Sequence, residues 1–397
     1  MKLPLALASV ALTAFCWGVY GPVLHEGQQG LGVPLQPSSL RPLICVGLAY
    51  FAIAVVVPIL LLRMKGESGQ WTSSGIAWSL AAGIAGALGA LGIVLAFKFR
   101  GSPMYVMPLV FGCAPVINTF CTMAMAKSYK EAGRMFFLGV GVVALGAAGV
   151  MFFKPEAKNI AVEESQDGPI KVVLTEVIEG GQKKSEWSAT NLDELKSKPE
   201  LAKAYKLYLK KLPLNSIQLL MIPLSIALTA LCWGCYGPVL HKGQMKMSGS
   251  RLRPFLCVGL AYFAIAVVVP FILVPIFPEP GEWKPAGTVW SLAGGAAGAV
   301  GALGIIMAFT FGGKPIFVMP LVFGCAPVVN TAVTIWHEGT AAFVTTGFYV
   351  SLLLVVAGAV TVLVFAPKAG HKPPGDAKSA TPPAEKSDDK LATSPQD

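Results

Sequence analysis

The chain writes one stretch twice, CWGVYGPVLH from Cys16 to His25 and CWGCYGPVLH from Cys232 to His241. Each copy closes an apolar run long enough to cross a bilayer, whose hydrocarbon core takes roughly 20 apolar residues per helix. Two further stretches recur in step: CVGLAYFAIAVVVP starts at Cys45 and again at Cys257, and VMPLVFGCAPV starts at Val106 and again at Val318. Self-similarity of this kind requires a fold made of two like halves. The opening MKLPLALASVALTAFCWG has the look of a signal peptide, but its near-copy lies mid-chain, where no signal is cleaved, so residues 3–24 read as a retained helix. The Gly-Pro pair at Gly21-Pro22 and Gly237-Pro238 reads as the break that ends each first helix.

Apolar runs of spanning length follow at 43–62, 75–97, 104–126 and 135–153, and the series repeats at 219–240, 255–277, 288–311, 316–336 and 341–365. An odd number of spans per half turns the second half over relative to the first, the plan of many secondary transporters. The expected fold is therefore an all-α polytopic membrane protein, with ten transmembrane helices as two inverted five-helix repeats. The expected domains are a first repeat over 1–153, a polar linker over 154–218, a second repeat over 219–366 and a disordered tail over 367–397. Within the linker, a short β-like run lies at Lys171 to Leu174. Leu201, Ala204, Tyr205 and Tyr208 then fall on one face of a helical stretch that suits the membrane surface, with a small soluble partner-binding cap as the other reading.

Composition agrees: 54% of residues are hydrophobic and 13% charged, more apolar surface than one water-soluble core can hide. The net charge of +10 does not point to nucleic acid, because Lys and Arg flank apolar runs, where positive charge sets orientation. Basic residues gather in the loops on the N-terminal side (Lys2, Arg63, Lys65, Lys127, Lys130 and Arg134 among them). They are sparse on the other side (Arg41, Lys98, Arg100, Lys284). Cytoplasmic N- and C-termini, an outside linker and a multi-pass place in the cell membrane follow as expectations. All eight cysteines lie in apolar runs, so no disulfide framework is implied, and Cys232-Trp-Gly-Cys235 reads as packing rather than a redox motif, Val19 standing where the second copy has Cys235.

Candidate solute-binding residues come from the repeated stripe. Thr13, Trp17 and Tyr20 share one helix face, as do Thr229, Trp233 and Tyr236. Indole and phenol offer flat faces with a donor at the edge, which suits a polar ring; the plain alternative is an interfacial aromatic anchor. Candidate helix breaks are Pro108 and Pro115, matched by Pro320 and Pro327, which free the carbonyls of Phe111 and Phe323. Asn118 and Asn330 follow three residues after the second proline and add an amide near the kink, or serve only to bond helices together. Glycines at every third position, Gly83 to Gly92 and Gly295 to Gly304, read as close helix packing. His25 and His241 are the only paired titratable groups, candidates for a gate or simple interfacial residues. No acidic or basic residue falls well inside an expected span, which argues for an uncharged solute. Nor is there a phosphate-cradling Gly-Lys loop, a metal cluster or a catalytic triad, so neither enzyme chemistry nor a cofactor is expected.

The CWGxYGP motif in the first helix of each half and the segment CAPVINTFCTMAMAKSYKEAGRMFFLGVGVVALGAAGV resemble the drug/metabolite transporter superfamily, EamA-like, closest to its glucose and rhamnose permease-like branch. The resemblance implies alternating access without ATP and a central cavity lined by the first, third and fourth helices of each half. The expected function is transport, secondary active or facilitative, of a small polar, largely neutral metabolite such as a sugar or nucleoside. The expected partners are that solute and the bilayer, with room for a homodimer. Other readings are a receptor or scaffold that binds a partner through the linker, and a channel. If the halves are inverted, Trp17, Tyr20 and Asn330 form one layer, and Trp233, Tyr236 and Asn118 the opposite one.

Overall fold

The structure is a computed structural model that describes residues 2–33, 36–127, 129, 132–154, 160–163, 170–178, 181–201, 204–205, 207–208, 212–312, 315–339, 341 and 344–366. The tail expected to be disordered, 367–397, lies outside the described residues. Thirteen α-helices are named here in chain order. The first copy holds α1 (Lys2–Leu31), α2 (Leu40–Phe51), α3 (Val57–Lys65), α4 (Ser73–Lys98), α5 (Pro103–Ala126) and α6 (Arg134–Phe152). The linker holds α7 (Leu192–Ser197). The second copy holds α8 (Ser216–Lys246), α9 (Leu252–Phe263), α10 (Val269–Ile276), α11 (Pro285–Thr310), α12 (Pro315–Glu338) and α13 (Thr346–Val364). Among the described residues, nine helical segments are long and apolar enough to cross a membrane, which makes this a multi-pass membrane protein. The 24-residue α12 stands where the ninth span is expected.

Local chemistry sets the helix ends. Thr72 accepts from the Gly75 N–H to start α4, Ser102 caps α5 with Pro103 following, and Asn215 with Gln218 forms a capping box for α8. Lys127, at φ 54°, ends α5 in the left-handed conformation.

Two expectations need correcting. The Gly-Pro pair does not end the first helix of either copy: α1 runs through Pro22 to Leu31, and α8 through Pro238 to Lys246. The ring costs one backbone bond, which a membrane helix tolerates among close neighbours. Gly18 and Gly234, whose carbonyls those prolines release, press against α12 and α5. The longer helices bring Glu26 and Lys242 into helical register. The second spans are also not uniform. AIAVV at Ala52–Val56 and at Ala264–Val268 forms a π-helical turn between α2 and α3 and between α9 and α10. Pro58 and Pro270 follow closely, and a wider turn accommodates a ring that a tight ladder would reject.

The copies interlock. Each of α1, α2, α4, α5 and α6 makes its largest contact with a helix of the other copy, α1 and α2 with α11, α4 and α5 with α8, and α6 with α13. The glycine stripes make this approach. A side chain at Gly89 would strike the Trp233 indole, and one at Gly301 the Trp17 indole. Tyr50 and Tyr262 stack at the centre, with ring centroids 3.8 Å apart and planes within 4°.

The linker has a fold of its own. Strands β1 (Ile160–Glu163), β2 (Ile170–Ile178) and β3 (Gly181–Ala189) form an antiparallel sheet in that order, with Val172 facing Val162 on one side and Trp187 on the other. Ile170, Val172, Leu174, Ala189 and Leu195 pack with Leu201, Ala204 and Tyr208. The stretch read as a membrane-surface helix thus gives its apolar face to a small core, because β2 supplies an alternating apolar partner nearer than the bilayer.

Candidate functional site: an aromatic cavity open at one end

A cavity of about 650 Å³ lies between the two copies. Its deep part is walled by rings: Trp17 and Tyr20 of α1, Trp233 and Tyr236 of α8, Phe111 of α5 and Phe323 of α12, with the Tyr50–Tyr262 stack behind them. The walls meet across the centre, with Tyr20 edge-on to Trp233 at 6.0 Å, Trp17 6.2 Å from Phe323, and Phe111 6.3 Å from Phe323. Toward the C-terminal end of α8, the lining turns polar with Asn118, Thr122, His241, Lys242 and Gln244. Among the described residues, no acidic side chain lines the cavity.

The stripes are positioned by hydrogen bonds to glycine carbonyls of the other copy. The Trp17 indole N–H donates to Gly298 O at 3.2 Å, and that of Trp233 to Gly86 O at 3.1 Å. The Thr13 hydroxyl donates to Gly301 O at 3.0 Å and the Thr229 hydroxyl to Gly89 O at 3.0 Å. Such interhelical bonds contribute about 0.6–2 kcal/mol each in a membrane. Both threonines are fully buried and neither lines the cavity. They hold the tryptophans in place, and the tryptophans present faces rather than donors.

The two ends of this cavity are built from equivalent residues in different states. At the C-terminal end of α8, Asn118, Leu240, His241 and Gln244 are open to the cavity. At the C-terminal end of α1, their counterparts are shut in. Asn330 is fully buried and donates to Pro103 O at 2.8 Å. Leu24 is fully buried, and the Gln28 amide donates to Ser38 O and Val94 O, both at 3.0 Å. His25 is half-buried, with its ring edge-on to Phe97 at 5.0 Å and Gln29 at 2.7 Å. Glu26 of α1 meets His337 of α12 at 3.8 Å, where the open end has Lys242 and Met125 on the cavity wall.

Gly21 of α1 lies against Asn330 and Gly237 of α8 against Asn118, so each aromatic stripe shares its level with the asparagine of the other copy. Pro108, Pro115 and Pro327 are buried within α5 and α12, and Pro320 lies in α12. Pro108, Pro115 and Pro327 do not line the cavity; their contribution is the path of the helices that carry Phe111 and Phe323 to it.

Outside the membrane segments, each copy caps a helix of the other. Glu279, in the loop after α10, accepts from the Ser39 and Leu40 N–H groups at the start of α2, at 3.0 and 2.9 Å, and from the Ser38 and Ser39 hydroxyls. Burial alone would raise its carboxyl, but the hydrogen bonds from Ser39, Leu40 and Ser38 together outweigh it and hold it below its ordinary value. Lys98 adds an ion pair at 3.5 Å. Glu67, in the loop after α3, does the same at the start of α9, accepting from Arg251 N–H at 2.9 Å and the Ser250 hydroxyl at 2.6 Å.

Tyr50, Tyr262, Phe111 and Phe323 also line the cavity, although none belongs to a polar stripe. Their signal was available: all four sit in the verbatim repeats that start at Cys45, Cys257, Val106 and Val318. Comparison with protein-family models and with curated proteins yields no match, so the functional reading rests on this cavity.

Proposed function

We propose that the protein is a transporter that moves a small organic solute through the central cavity by alternating access, its two halves arranged as inverted five-helix repeats. The observation that carries this reading is the unequal state of equivalent ends: Asn118 open to the cavity and Asn330 sealed onto Pro103. A scaffold has no use for a cavity between halves with one end shut and its counterpart open. A transporter needs both arrangements in turn. With the N-terminus cytoplasmic, as the basic loops favour, the open end faces the cytoplasm. The resemblance to the drug/metabolite transporters accords with this. Purified protein in vesicles should show saturable solute uptake and counterflow, and Trp17→Ala or Trp233→Ala should abolish both without loss of folded protein. Normal flux in both single variants would sink the assignment.

A second reading, a receptor or scaffold, draws on the linker's own sheet and core. Replacing 155–211 by a short flexible segment separates the two, because a transporter keeps its flux and a receptor loses its ligand surface.

A further inference from the structure

The donors of the cavity are already committed in a way that selects the ligand. Both indole N–H groups and both stripe threonines bond to glycine carbonyls, and Asn330 spends its amide N–H on Pro103. What remains among the described residues of the deep part is a set of flat ring faces and the tyrosine hydroxyls, of which that of Tyr20 is buried without a partner. Tyr20 lines the cavity, is 4% exposed, and its hydroxyl has no hydrogen-bond partner. A buried hydroxyl left unpaired costs about 1–3 kcal/mol, which a ligand acceptor would recover. A hexose carries hydroxyls around its whole rim, each needing a partner once out of water, and the ring-walled interior does not supply them. A planar ring needs faces above and below and few polar contacts at its edge.

We infer that the solute is a planar, uncharged heteroaromatic ring bearing a carbonyl or ring-nitrogen acceptor. It enters ring-first from the open end and packs against the faces of Trp17, Phe323, Trp233 and Phe111 that line the cavity, and its acceptor takes the Tyr20 hydroxyl. Its second polar edge faces Asn118, the amide at the open end. This rests on the cavity being the solute site of the transporter proposed above, and it narrows the sugar-or-nucleoside expectation to the base-like half.

The test is thermal unfolding of the purified full-length protein with adenine, hypoxanthine, uracil and nicotinamide, against glucose and rhamnose. A solute that binds the folded state raises the midpoint by mass action. At least one ring solute should raise it, and the hexoses should not. Tyr20→Phe should weaken ring binding roughly tenfold while leaving the ligand-free midpoint unchanged or higher, since the hydroxyl has no partner to lose. Protection by hexoses, no protection by any ring solute, or a Tyr20→Phe protein that is destabilised when empty yet binds as before, would each overturn the proposal. Uptake into vesicles separates the two readings. Ring binding without flux keeps the ligand class and refutes transport, whereas hexose flux keeps transport and refutes the ligand class.

Discussion

At the scale of single residues, equivalent positions should respond differently. Asn330 is buried and bonded, so Asn330→Ala should cost about 1–3 kcal/mol and lower the unfolding midpoint in a thermal scan. Asn118 faces the cavity, so Asn118→Ala should leave the midpoint nearly unchanged and act on solute affinity instead. Gly301→Ala would drive a methyl into the Trp17 indole and Gly89→Ala into that of Trp233, each overpacking by about 1–3 kcal/mol and displacing a cavity wall. Uptake should fall in both variants. The aromatic stripe was legible in the sequence because its spacing is helical and it is written twice. The threonines share that stripe yet stay outside the cavity, because spacing reveals which face a residue occupies, not what its hydroxyl bonds to across 288 residues of chain. Tyr50 and Tyr262 are not legible in the same way: as tyrosines in apolar runs, they look like core until their stacking is seen.

At the scale of elements, the paired carboxylate caps tie loops of one copy to helix starts of the other. Glu279→Gln should remove a charged acceptor from the N-terminus of α2, where the helix dipole favours an anion, and lower stability near neutral pH. The sign of its pH dependence is fixed by its depressed carboxyl. The stability it contributes is present above the ordinary glutamate range and is lost as pH falls through the lower folded-state value. Wild type should therefore lose stability on acidification over a range in which Glu279→Gln loses less, as followed by unfolding midpoints across an acid series. Apolar runs and loop signals locate most spans to within a few residues, but α1 and α8 run beyond the expected ends at Leu24 and Leu240 to Leu31 and Lys246, and proline is a poor guide to both first and second spans. Pro22 and Pro238 are carried inside helices in which Gly18 and Gly234 pack on a neighbouring helix, and Pro58 and Pro270 are relieved by a π turn that no periodicity announces. The linker sheet was visible only as the β-like run at Lys171, because β3, GQKKSEWSA, is too polar to read as a strand before it pairs with β2.

At the scale of the whole molecule, the shut end is held by contacts between α1, α12 and the start of α5. With the native cysteines removed, Glu26→Cys and His337→Cys joined by a short bis-maleimide should trap that end shut and stop vesicle flux. The reagent should leave flux intact when only one of the two cysteines is present. The reciprocal caps also bear on how the chain is made. Leu40 is capped by a carboxylate 239 residues further along, so α2 leaves the ribosome with its first N–H groups unanswered and waits through the linker and much of the second copy. Neither copy caps the start of its own second span, and the α2 cap can form only after residue 279 of 397 has been made. Two identical single-copy chains would satisfy one another's caps in the same way, which makes a self-pairing ancestor the simplest origin for a protein that now carries both partners on one thread.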